Sequence, residues 1–405
     1  MFTATKDKIL PTTVTGSWPR PDWYDTDSGG ERFAICMTES RFRERFKDAT
    51  SVVISDQEQA GLDILTNGDY HLDPEMAGRS WLHYPLDRIG GLSQDDFTPP
   101  TEALYEYPKG TLLNEIMAQG WMWPKVHGKL TMAKPFDFDR IWELAQSRTE
   151  KPVKFGTVSA QTVADFVQLD SDAYRDQRAM VWDMAGLLNR ELRRLADAGC
   201  TVIQIEEPAI HALAAADPDH PDLEFMIEAF NYEVDGLDDV EVWAHTCWGN
   251  PMMQRVYAAR SYAPSVEIFM TKLNIDVWTI EAKDNGQEAL PHLAPYRDTS
   301  DVKIALGVVS HRDLIADSAE SVAEEIRSAL AYVPAEKLIV TSDCGFGREG
   351  CKRPIAFYKA AGIAQGANIV RRELGLPTTD VPAADPRLQA DVVPRSGGEA
   401  AAARS

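Results

Sequence analysis

The chain has 405 residues, 44% of them apolar or aromatic, which is enough to bury a core without disulfides or a structural metal. With 41 Lys and Arg against 63 Asp and Glu it carries a net charge of −22, the wrong sign for nucleic acid or an anionic membrane surface. No run of about 18 apolar residues is present, and the N-terminus MFTATKDKILPTT lacks the apolar stretch of a signal peptide. Five cysteines, an odd number without dense spacing, fit reduced thiols better than a disulfide framework. The expectation is a cytoplasmic α/β enzyme acting on small molecules, with no nucleic acid or membrane partner and with a homo-oligomer allowed.

Taken in chain order, short apolar β-branched runs recur, each ending in a polar or Gly-containing turn: 10–17 (LPTTVTGS), 62–69 (LDILTNGD), 153–160 (VKFGTVSA), 201–208 (TVIQIEEP), 240–247 (VEVWAHTC), 275–282 (IDVWTIEA), 302–311 (VKIALGVVSH) and 337–345 (KLIVTSDCG). Most are separated by segments of helical periodicity, clearest over 174–199, which ends at Gly199, and over 315–332. Continuous apolar strands alternating with helices predict a parallel sheet covered on both faces, and eight of them are the number that closes a (β/α)8 TIM barrel. A doubly wound open sheet is the other arrangement, but no G-x-G-x-x-G follows the first strand and no G-x-x-x-x-G-K-[ST] occurs. Residues 70–150 are too long for a simple crossover and carry Trp81, Trp121, Trp123 and Trp142, so an ordered insertion or cap is expected between the second and third strands. Residues 1–375 therefore read as one barrel, and 376–405, rich in Pro, Ala and Gly, as a loose tail.

A barrel of this type builds its active site at the C-terminal ends of its strands. The polar residues at those ends are Ser17, Asp69, Glu206 with Glu207, His245 with Cys247, Glu281, His311, and Asp343 with Cys344. His245 and Cys247 are two apart on a strand and project to the same side, where they can share an ion. Cys344 ends another strand, and Glu281 ends the one between them in sequence. An imidazole, two thiolates and a carboxylate suit Zn²⁺, and thiolates select against Mg²⁺ and Ca²⁺. Alone, His-x-Cys is more often core packing than a metal site, and Glu281 reads equally as a helix N-terminal carboxylate. The neighbouring Glu206 and Glu207 face opposite ways on a strand, and sequence does not say which of them points inward.

The segments PTTVTGSWPRP (11–21), IQIEEPAI (203–210), HTCWGN (245–250), DVWTIEA (276–282), GVVSH (307–311) and SDCGFGR (342–348) together resemble the catalytic C-terminal barrel of the cobalamin-independent methionine synthase family, over roughly residues 10–370. The resemblance implies a zinc-dependent methyltransferase of methionine biosynthesis, with His245, Cys247, Glu281 and Cys344 as metal ligands. Ser17, Asp69 and Glu206 match the family's amino-acid-substrate contacts, and His311 its acid/base histidine. The implied reaction carries a methyl group from a donor to a thiol, homocysteine first. An epoxyalkane:coenzyme M transferase, in which a thiolate opens an epoxide, is the alternative. A sulfonate-bearing thiol calls for Arg or Lys, for which Arg20, Arg348 and Arg353 are candidates, whereas Asp69 and Glu206 favour an ammonium group. The segment 158–166, where the family carries a Trp that stacks on folate, contains none.

Overall fold

The structure, a computed structural model, describes residues 3–24, 36–72, 79–98, 123–169, 172–250, 253, 255, 257, 261–347 and 351–384. Among them the strands run in the order β1 (Leu65–Thr66), β2 (Ile89–Thr98), β3 (Trp123–Met132), β4 (Val153–Val158), β5 (Val202–Glu206), β6 (Glu241–Thr246), β7 (Val277–Ile280), β8 (Lys303–Val309) and β9 (Leu338–Ser342). Seven form one parallel sheet, β1-β4-β5-β6-β7-β8-β9. The first predicted strand, 10–17, fills the remaining place. Thr12 bridges Val340 in parallel, Val340 N–H donates to the Pro11 carbonyl at 2.9 Å, and Ile64 N–H donates to the Thr12 carbonyl at 3.0 Å. That segment joins the last strand to the first and closes the expected barrel.

All residues of β4, β6, β7, β8 and β9 are buried. Strands covered on both faces must be apolar throughout, which is why these segments read as continuous runs. Inside the barrel, alternate positions fall into layers. Ile64, Val202, Trp243, Val277, Ala305 and Ile339 make an apolar plug, and positions further along the same strands rise above it toward the site. The two periodic segments form helices Gln177–Asp197 and Ala319–Leu330. Gly199, just past the first, has φ +100°, a conformation that favours a residue without a Cβ.

The stretch between the second and third barrel strands is ordered where described. It contains helix Arg79–Leu86 and an antiparallel β2–β3 hairpin tied to the loop after β4 through Val126 N–H to Gln168 O (2.9 Å) and Gln168 N–H to Pro124 O (3.0 Å). Its expected end at 150 shifts. Helix Phe138–Gln146 buries Phe138, Ile141, Trp142 and Ala145, and Trp142 Nε1 donates to Val153 O at 2.9 Å, so this helix belongs to the barrel's outer layer. Trp121 and Arg348 lie outside the described residues, as does 385–405 of the expected tail. The first part of that tail is held beneath the strand starts. Thr379 and Asn368 exchange hydrogen bonds of 2.9 and 2.7 Å, and Asp63 joins Thr379 at 2.9 Å and Arg371 at 2.5 Å. A buried ion pair anchors what composition alone read as loose. No described helix is long and apolar enough to cross a membrane.

Candidate metal and thiol site

The in-register pairing of Glu206 with His245 settles which of the two glutamates faces inward. Glu206 accepts from His245 Nδ1, whereas Glu207 turns outward, caps helix Pro208–Ala216 through Ile210 N–H (2.9 Å) and accepts from Gln161 (2.6 Å). Glu207 is thereby removed as the alternative carboxylate of the site.

One position further along, the strand ends bring His245, Cys247 and Cys344 together, with one donor atom of each within 4.8 Å of the others and all three residues buried. The two Sγ atoms are 3.9 Å apart. Their shared hydrogen bond, then burial, pushes the Cys247 thiol well above its ordinary value, because a second thiolate beside the first in a dry site is costly without a cation. Burial would lower the His245 pKa, but the Glu206 and Cys344 charges outweigh it and raise it to about 9. A divalent ion inverts this logic, since it favours thiolates and the neutral imidazole. Two soft sulfur donors and an imidazole in a water-poor pocket fit zinc.

Behind the histidine runs a buried relay. Glu206 Oε1 accepts from Gln204 Nε2 at 2.8 Å, and Gln204 Oε1 accepts from Lys154 Nζ at 2.6 Å. Burial lowers the Lys154 pKa to about 7 against the opposing pull of Glu206 and Asp69. An ammonium group can only donate, so the Gln204 amide presents its oxygen to Lys154 and its N–H to Glu206. Glu206 then accepts the Nδ1 proton, and Nε2, which lies 3.3 Å from the Asp343 carbonyl oxygen, is the nitrogen that could turn to a metal, the arrangement that orients metal-binding histidines generally. Glu206, expected as a substrate contact, is thus engaged with His245. Sequence reading passed over Gln204 and Lys154; the available signal was two polar residues inside apolar strands, Gln204 at the period-2 position below Glu206.

Ser17 and Asp69 end neighbouring segments of the barrel, joined by Trp18 N–H to Gly68 O at 3.1 Å. Gly68 and Asp69 have φ +74° and +60°, a tight turn that places the Asp69 carboxylate beside Gly16, whose added Cβ would lie 3.5 Å from Oδ2. Ser17 sits under the SDCGFG loop, and its Oγ accepts from Gly347 N–H at 3.2 Å. A Cβ on Gly345 would approach that Oγ to 2.4 Å, which explains the glycine of the DCG motif as a requirement of close approach.

His311 is buried, with Asp284 and Asp343 each within 4.8 Å of its ring nitrogens. The Asp343 carboxylate is held by three backbone N–H groups, Ala282 and Lys283 on Oδ1 and Asp284 on Oδ2, each at 2.8 Å. Gly307 of the GVVSH motif makes room for it, since a Cβ there would fall 2.1 Å from Oδ1.

Glu281, expected as the fourth ligand, stands outside the His245–Cys247–Cys344 group. Both its oxygens accept from Arg312 Nη2 (3.0 and 2.9 Å), and Oε2 also accepts from Trp248 N–H at 2.9 Å. Arg312 follows His311 directly and was not singled out in the sequence. Of the arginines considered for a sulfonate, the two that are described have other partners: Arg353 makes a two-bond pair with Asp56 (2.6 and 2.8 Å), and Arg20 donates to Leu72 O. Cys351 lies apart from the cluster, its Sγ 3.8 Å from Lys352 O.

The chain is 29% identical over 367 residues to a methionine synthase of Sulfurisphaera tokodaii, covering 90% of this chain and 94% of the relative. It is 28% identical over 404 residues to a 2-hydroxypropyl-CoM lyase of Xanthobacter autotrophicus, covering 91% and 97%. In fold it matches a B12-independent methionine synthase of Shewanella sp., solved with selenomethionine, at a TM-score of 0.71 and 22% identity over 91% of this chain and 99% of that one. Residues 113–361 match the family described as cobalamin-independent synthase, catalytic domain, and the chain belongs to that family.

Proposed function

We propose that this protein is a zinc-dependent methyltransferase that methylates homocysteine to methionine. The observation that carries the reading is the convergence of His245, Cys247 and Cys344 from separate strand ends. Zinc bound there would lower the pKa of a substrate thiol and present it as a thiolate near neutral pH. Glu206 holds His245 in the tautomer that leaves Nε2 for the metal. Ser17 and Asp69 bind the amino-acid end of the thiol, Asp69 pairing with its ammonium group because an unpaired buried charge is costly. As the methyl group passes to sulfur, the C–N or C–O bond to the donor breaks. His311 supplies the proton that the leaving atom takes up, the task of a general acid.

The reading is tested at Asp69. Asp69→Asn should weaken homocysteine binding by about 1–3 kcal/mol, the scale of a lost charge-assisted hydrogen bond, while zinc content stays unchanged. Calorimetry on the zinc-loaded protein measures this. The 2-hydroxypropyl-CoM lyase relative supports a second reading, in which coenzyme M is the thiol and an epoxide the alkyl donor. In that case the same substitution should leave coenzyme M binding unchanged or improve it, and the wild type should prefer coenzyme M.

A further inference from the structure

His311 lies just past the end of β8, at the start of the loop 311–317. Its strand side is fixed, since Asp343 N–H donates to Val309 O at 3.0 Å and Arg312 N–H to Ser310 Oγ at 2.9 Å. The far side of the loop has another kind of anchor. Leu314 and Ile315 at its tip are 53% and 76% exposed, so apolar packing does not hold it. Lys359, on helix Arg353–Glu373, reaches it instead. Its Nζ donates to Asp313 Oδ1 at 3.0 Å, to Ile315 O at 2.5 Å and to Asp317 Oδ2 at 3.4 Å. The Lys359 side chain is wholly buried, whereas that of Asp313 is 54% exposed. Among the described residues, no other hydrogen bond or ion pair joins 313–317 to a neighbouring element. An ammonium group carries three donors and no acceptor, and three oxygens of one short loop meet all three. Burying that charge is costly unless it is met in this way, which ties the lysine and the loop to each other. Gly362, one turn further along the helix, permits the close approach, because a Cβ there would fall 2.7 Å from Asp317 O.

We propose that Lys359 is a positioning residue for His311. By clamping Asp313, Ile315 and Asp317 to the helix behind them, it fixes the course of the loop and so the place from which the imidazole delivers its proton. The inference rests on His311 acting as the general acid. A catalytic side chain at a strand end is only as well placed as the contacts that hold the loop it opens, and a displacement of about 1 Å can slow a reaction up to about 100-fold. The Lys359 ammonium group is saturated by the loop and takes no part in the chemistry itself.

Lys359→Met should leave the barrel folded and release the loop. Hydrogen–deuterium exchange over 313–317 should quicken about tenfold, with β8 and β9 unchanged. Methylation of homocysteine by 5-methyltetrahydrofolate should fall about tenfold in kcat, while zinc content and homocysteine affinity stay within about threefold of wild type. Lys359→Arg, which keeps the charge and its donors, should lie closer to wild type than Lys359→Met. A double-mutant cycle separates positioning from general support. In the His311→Asn background, Lys359→Met should change kcat by less than about threefold, because the group it positions is already gone. If Lys359→Met fails to fold, Asp313→Ala, at a half-exposed position, removes one of the three oxygens and should slow turnover at least about threefold with the same dependence on His311. Unchanged exchange and kcat in the folded variants, or an equal loss with and without His311, would overturn the inference while leaving the general-acid reading intact. Normal turnover in His311→Asn would instead remove the reading on which it rests.

Discussion

Cys344→Ser should lose zinc by at least about 100-fold in affinity while keeping the barrel folded. Cys344 Sγ meets Cys247 Sγ at 3.9 Å inside a buried group of three donors. A serine hydroxyl in that place is a hard, weakly acidic donor that zinc does not deprotonate as readily as a thiol. The fold should survive because the barrel is closed by backbone pairing and by an apolar plug, neither of which involves the cysteine. Metal analysis after dialysis against a chelator reads the first effect, and thermal unfolding of the metal-free proteins reads the second. Cys247→Ser should behave in the same way. Full occupancy in either variant would remove the thiolates from the metal set.

His311→Asn should slow turnover by about 10²–10⁴-fold with zinc and thiol affinities within about threefold of wild type. The residue is buried beside Asp284 and Asp343 and is not one of the three clustered donors. Asparagine preserves a hydrogen-bonding side chain of similar bulk and cannot carry the proton. If the rate and the zinc content fall together, the histidine is a structural element of the site. If turnover is unchanged, it has no part in the proton transfer.

The strand ends were legible because two constraints coincide there. Parallel strands buried on both faces must be apolar throughout, so each polar residue that closes such a run is conspicuous. Ser17, Asp69, Glu206, His245, Cys247, Glu281, His311 and Cys344 were all found in this way. What sequence could not supply was pairwise choice. Whether Glu206 or Glu207 points inward depends on a register that only the pairing with β6 fixes. Whether Glu281 faces the metal or an arginine depends on Arg312, thirty-one positions away beyond the end of the neighbouring strand. Lys154 and Gln204 were hidden for a related reason. A lysine inside an apolar strand reads as noise until the glutamine opposite it, and the carboxylate beyond, show where its charge is used. Composition does not report the bonds that Thr379, within the expected tail, makes to Asn368 and to Asp63.

The central claim, that a substrate thiol joins a metal held by His245, Cys247 and Cys344, is tested most directly by zinc X-ray absorption on the purified protein with and without homocysteine. The expected spectrum has two sulfur neighbours from Cys247 and Cys344 in the free protein and three when homocysteine is bound. A protein that holds no zinc, or a zinc centre whose sulfur count stays at two with homocysteine but rises with coenzyme M, would contradict the methionine synthase reading.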